Sequence, residues 1–125
     1  MEKKKILVVD DEGGITRMLK RNLEATNRFV VRTENTSSAA LTAAREFLPD
    51  FILLDVMMPG MDGGDVAAQI KADAKLKDVP VVFLSAIVTK EETKPTGSMI
   101  GGAFILAKPV KLEDLITCIE NHIGK

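Results

Sequence analysis

The stretch FILLDVMMPGMDGG, residues 51–64, opens on four apolar residues, stops at Asp55 and continues as a loop unusually rich in methionine. Phe51-Ile52-Leu53-Leu54 reads as a strand buried on both faces, the kind that occupies the interior of a parallel sheet. Asp55 then stands at the carboxyl end of that strand, on the edge where open α/β sheets bind their ligands.

Outward from this strand, apolar runs and amphipathic segments alternate without interruption, which is the signature of β-α units wound into a parallel sheet. The spacing predicts strands near residues 5–9, 29–33, 50–54, 79–84 and 103–106. It predicts a doubly wound, five-stranded parallel sheet of order 2-1-3-4-5 with helices on both faces. Ile15, Met18, Leu19 and Leu23 form the apolar stripe of a first helix. Ala40, Leu41, Ala44 and Phe47 mark a second, with Asn35, Thr36 and Ser37 as capping candidates. A third runs from Gly64 through Val66 and Ile70 with Asp62 as N-cap, and the last carries Leu112, Leu115, Ile116, Ile119 and Ile123. Between Thr89 and Gly102, Pro95 and three glycines leave room only for a short or broken helix of low local stability.

With 125 residues and 46% hydrophobic content, the chain is expected to form one domain over 1–125, with no room for a separate output domain. Lys plus Arg number 17 against 18 Asp plus Glu, which argues against a dedicated nucleic-acid binder. Lys3-Lys4-Lys5 reads as a solvated strand start, and no stretch resembles a secretory signal or a membrane span, so a cytoplasmic protein is expected. The single cysteine, Cys118, reads as a small core hydrophobe. His122 reads as a cation near a helix C-terminus.

Read to their ends, the strands deliver Asp10-Asp11, Asp55, Ser85 and Lys108 to one edge, within roughly 10–15 Å of each other at about 4.8 Å per strand. Three carboxylates in one crevice call for a raised pKa or a bound cation, and a hard divalent ion such as Mg²⁺ fits them. Asp11 and Asp55 supply oxygens, Asp10 can hold a coordinated water, and a backbone carbonyl just after Asp55 can add another. Lys108 and Ser85 offer what a tetrahedral dianion needs on its remaining oxygens. Taken singly, Asp11 or Glu12 could merely favour a helix start, and Ser85 could bond backbone. Their shared address argues for a site.

The segments ILVVDDE at 6–12, FILLDVMMPGMDG at 51–63, VVFLSA at 81–86 and KP at 108–109 resemble, in that order, the receiver domain of two-component response regulators, the family of the single-domain chemotaxis regulator. The resemblance covers nearly the whole chain and implies a flavodoxin-like fold. It also implies that Asp55 accepts a phosphoryl group from a histidine kinase or a histidine phosphotransfer protein. Mg²⁺, Lys108 and Ser85 would then stabilise the phosphoryl oxygens. On this reading the chain is a signalling domain that assists its own phosphorylation and dephosphorylation, not an enzyme acting on an outside substrate. Its output would go to another protein, with no direct nucleic-acid or membrane partner. A cis Lys108-Pro109 bond is implied as well, and so is Met57 as the residue whose backbone carbonyl joins the metal ligands. Met57, Met58, Pro59 and Met61 are expected to pack over the helix ends and hold Asp55 rigid.

The sequence departs from the family pattern at Ile105, where a switching aromatic is usual; Phe104 is displaced by one and should point to the other face. Ser85 stands where Thr is commoner, and Gly13-Gly14 is an unusual helix start. A haloacid-dehalogenase-type phosphatase shares the residue types, but its two aspartates lie two apart whereas Asp10 and Asp11 are adjacent. A flavin-mononucleotide carrier would need a phosphate-cradling first loop, which Asp10-Asp11-Glu12 would repel. A receiver belonging to a longer regulator remains an alternative.

Overall fold

The computed structural model describes residues 3–86, 97–100 and 103–124. Its elements follow in the order β1 (Lys4–Val9), α1 (Gly13–Glu24), β2 (Phe29–Glu34), α2 (Ser37–Phe47), β3 (Phe51–Asp55) and α3 (Gly63–Ala72). Then come β4 (Val81–Ser85), β5 (Ser98–Ile100), β6 (Ala103–Ala107) and α4 (Leu112–Ile123). The sheet order is β2-β1-β3-β4-β6-β5, and every pairing is parallel except β5 with β6. Without β5, this is the doubly wound order expected from the sequence.

Among the described residues the strands number six where five were expected. Ser98, Met99 and Ile100 pair antiparallel with Ile105, Phe104 and Ala103, at a place where the sequence suggested only a weak helix. The Gly101-Gly102 dipeptide between them in the chain is a hairpin signal, which a reading of glycines as helix breakers passes over. The rest of that expected helix, residues 89–96 and 101–102, lies outside the described residues, as does the low stability expected there. Gly97 does have a described role. Its φ is +97°, and a Cβ there would stand 2.3 Å from Cε1 of Phe104, so the ring occupies the space a side chain would need.

Alternation along the central strands builds two cores. Ile6, Val8, Phe51 and Leu53 face α1 and α4, packing with Leu19, Leu23, Leu115, Cys118 and Ile119. Leu7, Val9, Ile52 and Leu54 face α2 and α3, packing with Ala40, Ala44, Val66 and Ile70. Each fully buried Leu or Ile contributes about 1.5–3 kcal/mol relative to exposure, so the 51–54 run anchors both layers at once.

Details of the helices differ from the periodic reading. On α1 the buried positions are Thr16, Leu19 and Leu23, whereas Met18 is 41% exposed. The buried Thr16 hydroxyl donates to the Gly13 carbonyl and accepts from the Asn35 amide. Asp62 caps α3 as expected, accepting from the Asp65 N–H at 3.0 Å. At α2, Thr36 holds the N-cap position but makes no side-chain cap bond. The polar groups of its neighbours are engaged elsewhere.

Cys118 is fully buried, and burial pushes its thiol up to about 12, which leaves it the inert core residue expected. His122 lies in the last turn of α4, as expected, and its ring is packed. Its Nδ1 lies 2.8 Å from the Cys118 carbonyl, and its ring makes edge contacts with Phe51 and Phe104. Among the described residues no helix is long and apolar enough to cross a membrane.

Candidate functional site

The strand register positions the site. Val9 lies opposite Leu54, which sets Asp10 level with Asp55. Asp55 lies opposite Leu84 and Ser85 opposite Ala107, so Ser85 and then Lys108 each emerge one step further along the same edge. The Lys108 N–H donates to the Ser85 carbonyl at 2.8 Å, carrying the ladder past the strand ends. The Lys108–Pro109 peptide bond is cis, as expected.

At this edge the structure brings Asp10, Asp11 and Asp55 together, with one carboxylate oxygen of each within 4.8 Å of the others. Asp10 and Asp55 are buried, while Asp11 is exposed. The Lys108 ammonium sits among them, 3.0 Å from Asp10 Oδ2, 3.4 Å from Asp55 Oδ1 and 3.4 Å from Glu12 Oε1. Ser85 is buried beside Asp55 in the sheet.

Charge follows this geometry. Burial, then the Asp10 carboxylate, pushes Asp55 up to about 6; Lys108 pulls it down, and a hydrogen bond with Asp11 adds to the rise. Burial also lowers the Lys108 pKa, but Asp10, Asp55 and Glu12 together outweigh it and hold the ammonium above its ordinary value. One lysine is thus shared by a surplus of carboxylates. Among the described residues, Asp10 Oδ2 is buried and makes no hydrogen bond of good geometry, its charged neighbour being the Lys108 ammonium 3.0 Å away. Hard oxygen donors, an under-satisfied buried oxygen and a carboxylate held at raised pKa fit a small divalent cation.

The loop after Asp55 is locked by backbone. Gly63 N–H donates to the Val56 carbonyl at 2.8 Å, and a Cβ on Gly63 would lie 2.4 Å from the Asp55 carbonyl oxygen. The methionines of this loop divide. Met58 is buried and Met61 packs against the α2–α3 core, but Met57 is 63% exposed, so its side chain does not share the expected packing role.

Local sequence patterns missed two residues here. The Asn35 amide donates to the Asp10 carbonyl and to Thr16 Oγ1, both at 2.9 Å. The Ser37 hydroxyl donates to the Pro59 carbonyl and accepts from the Met61 N–H, both at 3.3 Å. Both read as helix caps because those residue types before an apolar run do cap helices; nothing local marks a partner on another loop. Glu12, read as a helix-start acid, also contributes its contact to Lys108. The displaced aromatic behaves as strand alternation predicts: Ile105 pairs with Phe83 across the sheet, and Phe104 turns to the α4 face against His122.

Comparison with known proteins places the chain among proteins of one kind. The family model described as response regulator receiver domain matches residues 6–120. The response regulator PleD of Caulobacter vibrioides is 40% identical over 106 residues, 85% of this chain and 23% of that protein. The phosphate regulon transcriptional regulatory protein PhoB of Pseudomonas aeruginosa is 36% identical over 114 residues, covering 90% of this chain and 48% of PhoB. The DNA-binding response regulator MtrA of Mycolicibacterium smegmatis is 38% identical over 125 residues, 98% of this chain and 52% of MtrA. The chain therefore spans 23–52% of the length of these relatives. Among solved structures, the chemotaxis response regulator CheY4 of Vibrio cholerae superposes with a TM-score of 0.79 at 28% identity, covering 96% of this chain and 98% of CheY4. A response regulator receiver domain protein of Clostridium thermocellum superposes at 0.76 with 31% identity, covering 97% and 94%.

Proposed function

Because this chain belongs to the response regulator receiver family, whose role is to accept a phosphoryl group and signal, we propose that Asp55 is the acceptor and that residues 1–125 fold as one receiver domain. The observation that carries this reading is the meeting of Asp55 with Asp10, Asp11 and Lys108 at one sheet edge. The donor is a phosphohistidine on a histidine kinase or phosphotransfer protein. Near-neutral charge on the chain speaks against direct nucleic-acid binding by this domain, so its output passes to a protein surface.

In the transfer, an Asp55 carboxylate oxygen attacks phosphorus. The phosphorus–nitrogen bond of the donor breaks, and its electron pair returns to the imidazole, which regains a proton from solvent. Lys108 follows the charge from the carboxylates to a phosphoryl oxygen, and the Ser85 hydroxyl donates to another. Asp11, Asp55 and the Met57 carbonyl would hold Mg²⁺, with Asp10 acting through water; when bound, the ion neutralises the carboxylates and the incoming phosphate. Water later attacks phosphorus, breaking its bond to Asp55 and releasing inorganic phosphate. The domain thus serves as a signalling element that assists its own phosphorylation and its own reset.

The test is incubation with Mg²⁺ and acetyl phosphate, followed by borohydride trapping and peptide mapping. The acyl phosphate should map to residue 55 and fail to form when a chelator replaces Mg²⁺. Reduction to homoserine, with loss of phosphate, at Asp10 or Asp11 instead would displace the assignment.

Lys108→Ala should bind Mg²⁺ more tightly than the native chain, by roughly threefold to tenfold, since it removes a cation 3.4 Å from Asp55 Oδ1 and 3.0 Å from Asp10 Oδ2. It should also lose the conformational response to phosphorylation, because Lys108 is the cation that contacts both buried carboxylates and can follow the charge. Calorimetric Mg²⁺ titration and amide spectra before and after beryllofluoride addition would show both effects. Weaker Mg²⁺ binding would contradict the placement of the ammonium.

A further inference from the structure

Residues 35–37 follow β2, a strand at the far edge of the sheet that contributes no ligand to the site. Thr36 occupies the N-cap of α2 without a side-chain cap bond, so the tripeptide's side chains are not engaged in starting that helix. They reach sideways instead. The Asn35 amide donates to the carbonyl of Asp10 and to Thr16 Oγ1, and the Thr16 hydroxyl in turn donates to the Gly13 carbonyl at 3.1 Å. Ser37, only 6% exposed, holds both Pro59 and Met61 of the loop that follows Asp55.

We infer that Asn35 and Ser37 are positioning residues that cross-brace the two acidic loops and thereby set the affinity of the site for a divalent cation. This rests on the Mg²⁺ reading of the site given above. The carbonyl held by Asn35 belongs to the peptide unit that carries the Asp11 N–H, so fixing it orients the peptide plane on which Asp11 rides. Asp11 needs such support because it is the exposed member of the carboxylate set. Asp10 has its own anchor, accepting the Glu12 N–H at 3.0 Å. Ser37 acts on the other side. By spanning Pro59 and Met61 it closes the turn of the loop that begins at Val56 and Met57, where the backbone ligand is expected. One short segment therefore governs the distance between ligands that arrive from two different strands. Groups that orient metal ligands in this way commonly change affinity by about 10–100-fold when removed.

The test is calorimetric Mg²⁺ titration of the metal-free full chain as wild type, Asn35→Ala, Ser37→Ala, Thr36→Ala and Asp11→Ala, each paired with a thermal melt. Asn35→Ala should weaken Mg²⁺ binding about tenfold, at the lower end of that range, and Ser37→Ala, which acts through the loop turn, about threefold. Thr36→Ala should match the wild type. If these residues merely supported α2, they would lower the melting temperature and leave the Mg²⁺ affinity of the folded protein unchanged; that result overturns the inference. Should Asn35→Ala not fold, Asn35→Ser removes the same amide donor and is titrated in its place. A wild type that binds Mg²⁺, with Asp11→Ala losing it, keeps the reading of the site intact while Asn35→Ala decides the inference alone. A wild type that binds no Mg²⁺ removes the reading and the inference together.

Discussion

Asp55→Asn is expected to abolish phosphoryl incorporation and, with chelator present, to make the folded chain more stable than the native one at pH 7, by at most about 3 kcal/mol. The native carboxyl is held at about 6 against an ordinary 3.8, first by burial and then by Asp10. A pKa unit corresponds to about 1.4 kcal/mol. The raised value means that the folded chain keeps a proton which the unfolded chain gives up. Between about pH 4 and pH 6 the folded state therefore binds more protons, and stability falls as pH rises through that window. An asparagine at position 55 has no proton to lose. The two stability curves should coincide below about pH 4, separate across the window and keep a constant gap above it, when measured by urea unfolding. Mg²⁺ should narrow the gap by stabilising the native chain more than the variant, which keeps Asp11 but loses one anionic ligand, by up to about 1.4 kcal/mol at ten times the native dissociation constant. A native chain more stable than Asp55→Asn at pH 7 in chelator would mean that Asp55 is not held under repulsion.

Gly63→Ala is expected to cost about 2–3 kcal/mol and to slow phosphorylation by roughly a hundredfold. The added Cβ would lie 2.4 Å from the Asp55 carbonyl oxygen, 3.0 Å from Val56 Cα and 3.2 Å from the Asp55 carbonyl carbon. All three are backbone atoms, so no side-chain rotation relieves the clash; β3 and the start of α3 must separate. That movement carries Asp55 with it. Gly14→Ala supplies the contrast. It lies within α1, where an added methyl meets nothing within 4 Å, and the substitution should stabilise the helix by up to about 1 kcal/mol. Urea unfolding and the initial rate of acetyl phosphate incorporation measure both variants. Gly63→Ala behaving like Gly14→Ala would refute the packing argument.

Residue periodicity alone carried the layered architecture. Phe51 to Leu54 face two cores because alternate side chains of a strand point to opposite faces, and an apolar residue at every position satisfies both. The same rule put Asp10, Asp55, Ser85 and Lys108 at strand ends, and parallel strands share one such edge. It also placed Phe104 on the face opposite Ile105. These are local facts about burial and direction, which a sequence states plainly.

Tertiary structure decided what depends on partners distant in the chain. Whether Asn35 and Ser37 cap their own helix or hold other loops depends on carbonyls at Asp10 and Pro59, 25 and 22 residues away. The buried Thr16 hydroxyl meets Asn35, and Met18 is exposed although its spacing fits the apolar stripe. Three residues from Ser98 form a strand because β6 offers them an edge; their own propensity does not demand it. Asp55 likewise owes its raised pKa to the shape of the pocket and the nearness of Asp10, quantities set by packing across strands. Burial periodicity is written residue by residue, but hydrogen bonds and charge interactions between loops exist only once the sheet has brought those loops together.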